Sequence, residues 1–295
     1  MRWIHRSRAA IVAAILHALV SMPTATAHSD DKPHAVFVVG TRHYSPENSM
    51  PPFAEELERL GFRTTLILPK GDPEKNENRV GLPGLEALAD ADVALFFVRF
   101  LALPDDQFQQ VMDYIKSGKP VVGFRTSTHA FLYPEDHPNY RWNNDFGRDV
   151  LGTRYVAHLQ SQTECRRVDS HKDHPVLTGV ADEPFSSTGM LYLTSLQPRC
   201  VPLVLGTGEG KAARLIENHF GTYYMQETET DIVAWVWQNQ WGGRVFCTSF
   251  GHVGDFAVEP IMRILINGVF WAADRPIPAS DTKINTFHVE EAESK

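Results

Sequence analysis

Residues 93–129 read VALFFVRFLALPDDQFQQVMDYIKSGKPVVGFRTSTH, and this stretch decides the fold class. It opens with an unbroken apolar run at 93–98, as expected for a strand that is buried on both faces. Residues 104–116 follow as a helix, because Pro and two Asp open it, apolar residues recur at helical spacing and Gly118 follows its end. A second apolar run at 120–124 predicts the next strand. The succession of strand, helix and strand is typical of an α/β fold.

The same alternation continues on both sides of this unit. The further predicted strands are 35–39, 63–68, 201–205, 231–238 and 244–250, and the further predicted helices are 50–60, 82–89 and 259–273. Trp241-Gly242-Gly243 separates the last two strands and is a hairpin signal. The pattern as a whole predicts an open parallel sheet sandwiched by helices.

Two segments interrupt or follow this pattern. Residues from about 134 to 200 are rich in Asp, His, Asn, Pro and Arg and contain only short strand candidates such as 155–159. They indicate a long irregular insertion with a functional role inside one domain spanning residues 28–275. The polar residues 276–295 are predicted to be a frayed C-terminal tail.

The first 27 residues have the features of a secretory signal. Arg2, Arg6 and Arg8 precede an apolar run at 9–20, and small residues at 24–27 suit cleavage before His28. An uncleaved anchor is the alternative, but the run is shorter than the roughly 20 residues that cross a bilayer. Cleavage would remove three arginines and no acid, which changes the formal net charge from −8 to −11. We therefore expect an acidic protein that is exported to the periplasm or the extracellular space and has no membrane attachment after cleavage.

Charge and cysteine content exclude several classes of protein. The 28 Lys and Arg against 36 Asp and Glu leave no basic footprint for nucleic acid. Three cysteines without a CxxC spacing argue against a disulfide scaffold or a thiolate zinc site. A Cys165–Cys200 pair stays open, and Cys247 is predicted to be a buried strand residue. We expect no cofactor, and the sequence is compatible with a homo-oligomer.

Ligands of open parallel sheets bind beyond the carboxyl ends of the strands, and this rule selects a small set of residues. Arg125 is placed at a strand-to-helix turn, where an elbow would present a Cys or Ser nucleophile. A guanidinium cannot attack a substrate, but its donors suit a carboxylate, a phosphate or sugar hydroxyls. The alternative is a structural Arg paired with an acid. We expect the hydroxyls of residues 126–128 to cap the next helix, and we favour this over a Ser127 nucleophile.

Two histidines are candidates for acid–base chemistry because imidazole titrates near neutral pH. His129 and His252 both follow predicted strands whose ends should converge. Asp255, three residues after His252, is placed to orient its imidazole. The alternative for each His is a purely structural role.

Other polar and aromatic residues at the same edge are candidate ligand contacts. We predict substrate binding by Tyr44, His43, Arg99 and His158 together with Arg125. His43, His129 and His158 also raise the alternative of a metal site, but no tight ligand spacing supports it. Tyr44, Tyr155, Trp142 and Phe131 offer flat surfaces on which a sugar ring could stack.

Several blocks resemble the ThuA-like (trehalose utilisation) family, in the right order across residues 34–275. They are ALADADVALFF at 87–97, LPDDQ at 103–107, GKPVVGFRTSTHAF at 118–131, GGRVFCTSFGHVGDF at 242–256 and NGVFWAA at 267–273. The resemblance implies a flavodoxin-like fold of the class I glutamine amidotransferase-like type and a role in sugar or keto-sugar metabolism.

Carried over by position, the resemblance places Arg125 and His129 in the family's R-T-x-x-H block and His252 in its G-H block. Arg125 stands where true amidotransferases have Cys, so glutaminase chemistry should be absent. Residues 41–44, Thr-Arg-His-Tyr, depart from the Gly-Glu-x-x-Tyr of many relatives, which puts an acidic role there in doubt.

The leading hypothesis is an exported protein that acts on a di- or oligosaccharide derivative of trehalose or keto-sugar type. In this hypothesis Arg125 binds substrate oxygens, while His252, His129 and Asp255 form the catalytic group of a sugar-directed hydrolase or lyase. A non-catalytic sugar-binding or interaction module and a metal-dependent hydrolase are the alternatives.

Overall fold

Nine strands form one mixed sheet in the computed structural model, which describes residues 32–69, 81–218 and 220–290. The predicted secretory signal lies outside the described residues. The sheet strands are β1 (His34–Gly40), β2 (Arg63–Ile67), β3 (Val93–Val98), β4 (Val121–Phe124), β5 (Ala157–Arg167), β6 (Phe185–Leu193), β7 (Val201–Glu209), β10 (Thr228–Gln238) and β11 (Arg244–Thr248). A separate two-stranded hairpin consists of β8 (Arg214–Asn218) and β9 (Gly221–Met225).

The strand order β2-β1-β3-β4-β11-β10-β7-β5-β6 divides the sheet into two halves. All pairings from β2 to β11 are parallel, so the carboxyl ends of β1, β3, β4 and β11 meet at one edge. The pairings from β11 to β6 are antiparallel, beginning with the predicted β10–β11 hairpin. The parallel core is confirmed, and the antiparallel half extends it.

Helices cover both faces because the central parallel strands β1, β3 and β4 are buried on both sides. The helices are α1 (Pro46–Arg59), α2 (Asp105–Lys116), α3 (Trp142–Asp145) and α4 (Glu259–Ala272), and a π-helical turn at Phe146–Leu151 continues α3. In β1, Ala35, Phe37 and Val39 join one buried cluster, while Val36 and Val38 join the other. The predicted helix at 82–89 is a 3₁₀ helix, Leu85–Asp90.

The sequence-based description of residues 134–200 as irregular is wrong in one respect. This segment contributes β5 and β6, two of the longer strands of the sheet. Both strands carry many polar residues and their pairing contains register shifts between His158 and Thr163, which hides the two-residue alternation that identifies a strand. β6 packs over the carboxyl edge of the parallel strands, as shown by its contacts with Arg125 and Asp255.

All three cysteines are free thiols, so the Cys165–Cys200 pair is absent. Cys165 and Cys247 are buried on β5 and β11, and burial raises the pKa of Cys165 to about 12. Cys247 has the predicted position of a buried strand residue.

The C-terminal segment packs against the domain as far as residue 290, contrary to the predicted frayed tail. Ile284 is buried, and the backbone N–H of Phe287 donates to the carbonyl of Phe256. Glu56 of α1 fixes the segment, because its carboxylate accepts from the backbone N–H of Asn285 at 2.8 Å and from its side chain at 2.9 Å. Arg59 completes this anchor with bonds of 2.8 and 2.6 Å to the same carboxylate.

We predict that Glu56→Gln lowers the free energy of unfolding by about 1–3 kcal/mol at neutral pH, the range for hydrogen bonds to a charged group. Burial alone would raise the pKa of Glu56, but Arg59 and Asn285 lower it below its ordinary value of 4.5. A lowered carboxyl pKa stabilises the fold at neutral pH, and this contribution disappears as the pH falls below about 4.5. Urea denaturation at pH 7 and pH 3 measures both effects. The exposed Glu55→Gln on the same helix is the control, and equal losses in the two variants would contradict the anchor.

Candidate functional site

Backbone strain marks the carboxyl edge of the parallel strands. Tyr44, Ser45, Phe100 and Arg125 follow β1, β3 and β4 with φ of 68°, 49°, 50° and 32°. Gly251, after β11, has φ 123°. Left-handed conformations at non-glycine residues cost of order 1–3 kcal/mol each and cluster at functional sites. The edge where these four strands end is therefore a candidate functional site.

The Arg125 side chain lies beneath this edge and is only 1% exposed. Its Nη1 donates to the carbonyl of Ser249 at 2.8 Å, and its Nη2 donates to the Tyr44 hydroxyl at 3.2 Å and the Met190 carbonyl at 3.4 Å. The guanidinium carbon lies 4.2 Å from the ring centre of Tyr44 and 4.5 Å from that of Tyr192. Burial alone would lower the pKa of Arg125, but the surrounding Tyr192, Tyr44 and Asp255 raise it, so the group stays cationic.

Gly189 of β6 lets this strand approach Arg125 and His252 closely. A Cβ at position 189 would lie 2.5 Å from Nη1 of Arg125 and 3.2 Å from Cβ of His252. Gly189 thus lies close to both the guanidinium of Arg125 and the Cβ of His252.

Asp255 positions His252 through the backbone. The carboxylate of Asp255 is fully buried, and its Oδ2 accepts the N–H groups of Gly251 at 2.9 Å and His252 at 3.1 Å. Its Oδ1 accepts from the Ser187 hydroxyl at 2.7 Å and the Thr188 N–H at 3.1 Å. The Thr188 hydroxyl lies 2.8 Å from Nδ1 of His252. Asp255 therefore reaches the imidazole through Thr188.

His129 lies in a cluster of aromatic rings and is 3% exposed. The ring centre of His129 is 4.5 Å from that of Tyr155, 5.2 Å from Phe100, 5.9 Å from Phe220 and 6.0 Å from Tyr192. Phe220 comes from the β8–β9 hairpin, so this hairpin covers the same edge. We call these four side chains the aromatic cluster.

His43, Arg99 and His158 line the mouth of the site. The His43 ring packs 4.1 Å from Tyr44, the Arg99 guanidinium lies 4.3 Å from the centre of Phe100, and Nδ1 of His158 lies 2.5 Å from the Tyr155 hydroxyl. Desolvation, Arg99 and Arg125 lower the pKa of His43 to about 4. Desolvation and the cations Arg125, Arg214 and Arg99 also lower the pKa of His158. These two imidazoles are therefore neutral at neutral pH.

A family model described as ThuA, trehalose utilisation, matches residues 35–272. The chain belongs to this family. The ThuA-like protein of Parabacteroides merdae ATCC 43184 is a solved structure at 14% identity, with a TM-score of 0.55, that covers 88% of this chain and 98% of its own. The ThuA-like protein of Bacteroides uniformis ATCC 8492 matches at 14% identity and a TM-score of 0.53, covering 84% and 94%. No curated protein matches the sequence.

The structure of this ThuA-family protein confirms the predicted fold and brings the predicted site residues to one edge. All eight predicted site residues lie at this edge: Arg125, His129, His252, Asp255, Tyr44, His43, Arg99 and His158. Two predicted stacking residues do not. Phe131 is buried against Phe108 and Phe146, and Trp142 packs on Phe108. Both side chains pack in the buried cluster that contains Val36 and Val38, and not at the site.

The hydroxyls after β4 have a different role from the predicted helix caps. Ser127 donates to the carbonyl of Phe96 at 2.7 Å, and Thr126 donates to the carbonyl of Val98 at 2.9 Å. Both side chains are fully buried. They fasten the turn to β3, which leaves no accessible Ser127 nucleophile.

Sequence reasoning missed the residues that β6 and the β8–β9 hairpin supply. Ser187, Thr188, Gly189 and Tyr192 lie in the segment taken to be irregular, and Phe220 lies on a hairpin that has no strong pattern. The sequence FSSTGMLYL at 185–193 gives only a weak signal for a strand, because polar residues fall on both of its faces.

Two structural features limit the alternatives within the described ranges. There, no three His, Cys, Asp or Glu side chains form a group that could hold a metal ion, so the metal alternative gains no ligand set. None of the helices described is long and apolar enough to cross a bilayer.

We predict that Arg125→Lys lowers the free energy of unfolding by about 2–4 kcal/mol. An ammonium cannot reproduce the fork of donors or stack between two tyrosine rings. Chemical denaturation measures the loss. The exposed Arg148→Lys, next to Asp145 and Asp149, is the control and should change stability by less than about 1 kcal/mol. Equal stability of Arg125→Lys and the wild type would contradict the role of Arg125.

We predict that the imidazole of His43 titrates with a pKa of about 4 in an NMR titration. Because the pKa is lowered on folding, His43 opposes folding increasingly as the pH falls from 6.5 towards 4. Arg99→Met should raise the pKa of His43, since it removes a nearby cation. Arg42→Met is the control, because Arg42 pairs with Glu47. A His43 pKa near 6.5 in the wild type would contradict the lowering by desolvation and by the two arginines.

Proposed function

We propose that this ThuA-family protein is an exported enzyme acting on a di- or oligosaccharide derivative of trehalose or keto-sugar type. The observation that carries the proposal is the convergence of His252 and His129 on one edge of the sheet, among buried and half-buried aromatic rings. Polar groups that converge beside apolar rings at the carboxyl ends of parallel strands are the usual composition of a small-molecule site.

The aromatic residues support a sugar as the ligand. The buried Tyr44 and the half-buried Tyr155 lie beside His252 and His129, with ring centres 5.2 and 4.5 Å apart in the two pairs. The apolar face of a sugar ring packs on such surfaces, while its hydroxyls bond to imidazole, guanidinium and phenol groups. His43, His158 and Arg99 at the mouth supply such groups.

Arg125 supports this site without being accessible to a ligand. With 1% exposure and its terminal nitrogens bonded to Ser249, Tyr44 and Met190, it fixes the Tyr44 and Tyr192 rings. In the proposal it therefore shapes the binding surface and supplies positive potential, in place of the direct substrate contact expected from the sequence.

The two histidines supply the acid–base chemistry of the proposed reaction, a hydrolysis or elimination at a glycosidic bond. One positioned side chain of this kind contributes about 10²–10⁴-fold to a rate. Glutaminase chemistry is not proposed, because the elbow position carries a buried Arg and the thiols of Cys165 and Cys247 are buried on strands.

A second candidate function is a non-catalytic sugar-binding module. The observation that favours it is the absence of a nucleophile at the elbow, where Arg125 stands. Binding of a sugar without product formation would distinguish this module from the enzyme.

We predict that the mature protein binds and converts a member of a panel of trehalose, its 3-keto derivative and related disaccharides. His252→Gln should lower kcat by about 10²-fold or more, because glutamine reproduces neither the proton exchange nor the fixed position of the ring N–H of imidazole. Product analysis by mass spectrometry and binding by calorimetry measure the two steps. His171→Gln, beyond the other end of β5, is the control.

Three outcomes separate the candidates. Turnover that depends on His252 supports the enzyme, and binding without turnover selects the module. Neither binding nor turnover across the panel would refute both candidates.

A further inference from the structure

The imidazole of His252 is held at one nitrogen by two hydrogen-bond donors. Its Nδ1 lies 2.8 Å from the Thr188 hydroxyl and 3.5 Å from the backbone nitrogen of Gly254. A backbone N–H can only donate, so the contact with Gly254 requires a lone pair on Nδ1. At 3.5 Å the contact with Gly254 is weak, so the shorter contact with Thr188 decides the protonation state of Nδ1.

The Thr188 hydroxyl has one proton and two acceptors within reach. Oδ1 of Asp255 is 3.4 Å away and already accepts from Ser187 at 2.7 Å and from the Thr188 N–H at 3.1 Å. Nδ1 of His252 is 0.6 Å closer, since the two distances are 2.8 and 3.4 Å. The shorter bond is the stronger one, so the proton of Thr188 points to Nδ1.

We propose that Thr188 is a positioning residue that keeps His252 in the neutral tautomer with its proton on Nε2. In this tautomer His252 is a hydrogen-bond donor at Nε2 and not a base. It would stabilise a substrate oxygen on which negative charge develops, as preorganised donors do in other active sites. This role in catalysis rests on the proposed function, whereas the tautomer itself does not.

The packing around Thr188 makes its position well defined. A Cβ at Gly254 would lie 2.5 Å from Oγ1 and 2.7 Å from Cγ2 of Thr188, so only glycine leaves room for this side chain. Asp255 and Ser187 fix the backbone on either side of the contact, through the N–H of Thr188 and the hydroxyl of Ser187. The position of the Thr188 hydroxyl is thus fixed by the hydrogen bonds of Asp255 and Ser187.

The division of roles between the two histidines follows from the tautomer. If His252 donates, the proton acceptor of the proposed reaction has to be another group, and His129 is the second imidazole at the edge. Its Nδ1 lies 3.4 Å from the Thr128 hydroxyl, a longer distance than that between Thr188 and His252. The sequence treats the two histidines alike, whereas their partners differ.

The test is a long-range ¹H–¹⁵N NMR spectrum of the ¹⁵N-histidine-labelled protein, without any sugar, at alkaline pH where the imidazole is neutral. We expect Nδ1 of His252 to resonate as an unprotonated nitrogen and Nε2 as a protonated one. Assignment comes from the loss of these signals in His252→Gln. A proton on Nδ1 in the wild type would overturn the proposal.

Three variants distinguish a positioning role of Thr188 from a purely structural one. Thr188→Val keeps the shape and removes the hydroxyl, so the two nitrogen signals should move towards each other as the tautomers mix. Thr188→Ser retains the hydroxyl and should restore the wild-type pattern. Ser186→Ala, at an exposed position of the same strand, is the matched control and should leave the spectrum unchanged. An unchanged spectrum in Thr188→Val would overturn the proposal.

If the sugar panel yields a substrate, Thr188→Val should lower kcat by about tenfold or more with little change in KM, and Thr188→Ser should recover it. The two proposals then fail separately. The expected tautomer in a protein that neither binds nor converts sugar refutes only the proposed function. Turnover with a proton on Nδ1 refutes only the role of Thr188.

Discussion

The buried guanidinium of Arg125 is the interaction on which the site depends. Burial of a cation is costly unless it is hydrogen-bonded and electrostatically compensated. Here the compensation comes from two carbonyls, one tyrosine hydroxyl and two ring faces, which belong to segments after β1 and β11 and to β6. Because these partners come from separate parts of the chain, the one side chain fixes the loops of the parallel half against the antiparallel half.

The positive charge held below the edge also sets the chemistry above it. Arg125 and Arg99 act on His43 and His158 in the same direction as desolvation and lower the pKa of both. Neutral imidazoles can each donate one hydrogen bond and accept another, which suits sugar hydroxyls better than two imidazolium ions would. The positive potential also favours electron-rich oxygens over cations at a site within an acidic protein.

The sequence predicts the parallel half of the fold and its loops well, and the reason is physical. Strands such as β3 are apolar on both faces, and the rule that ligands meet the carboxyl ends of parallel strands selects Arg125, His129 and His252 without any structure. Within the antiparallel half, β5 and β6 are predicted poorly, because β6 has polar residues on the face that contacts the site and the pairing of β5 with β6 contains register shifts. What a sequence cannot supply here is the return of β6 over the edge, so Thr188, Gly189 and Tyr192 were missed.

The position of β6 also explains why the fold can lack a nucleophile at its elbow. An elbow nucleophile has to be open to the substrate, whereas here Gly189 lies against Nη1 of Arg125 and closes the approach to the tip of the turn. The same strand brings Thr188 to the ring of His252, which is half-buried at the edge. Of the two positions, only His252 is left partly exposed, while the elbow with Arg125 has become part of the core. Covering the elbow and placing a hydroxyl against His252 are therefore two consequences of one strand.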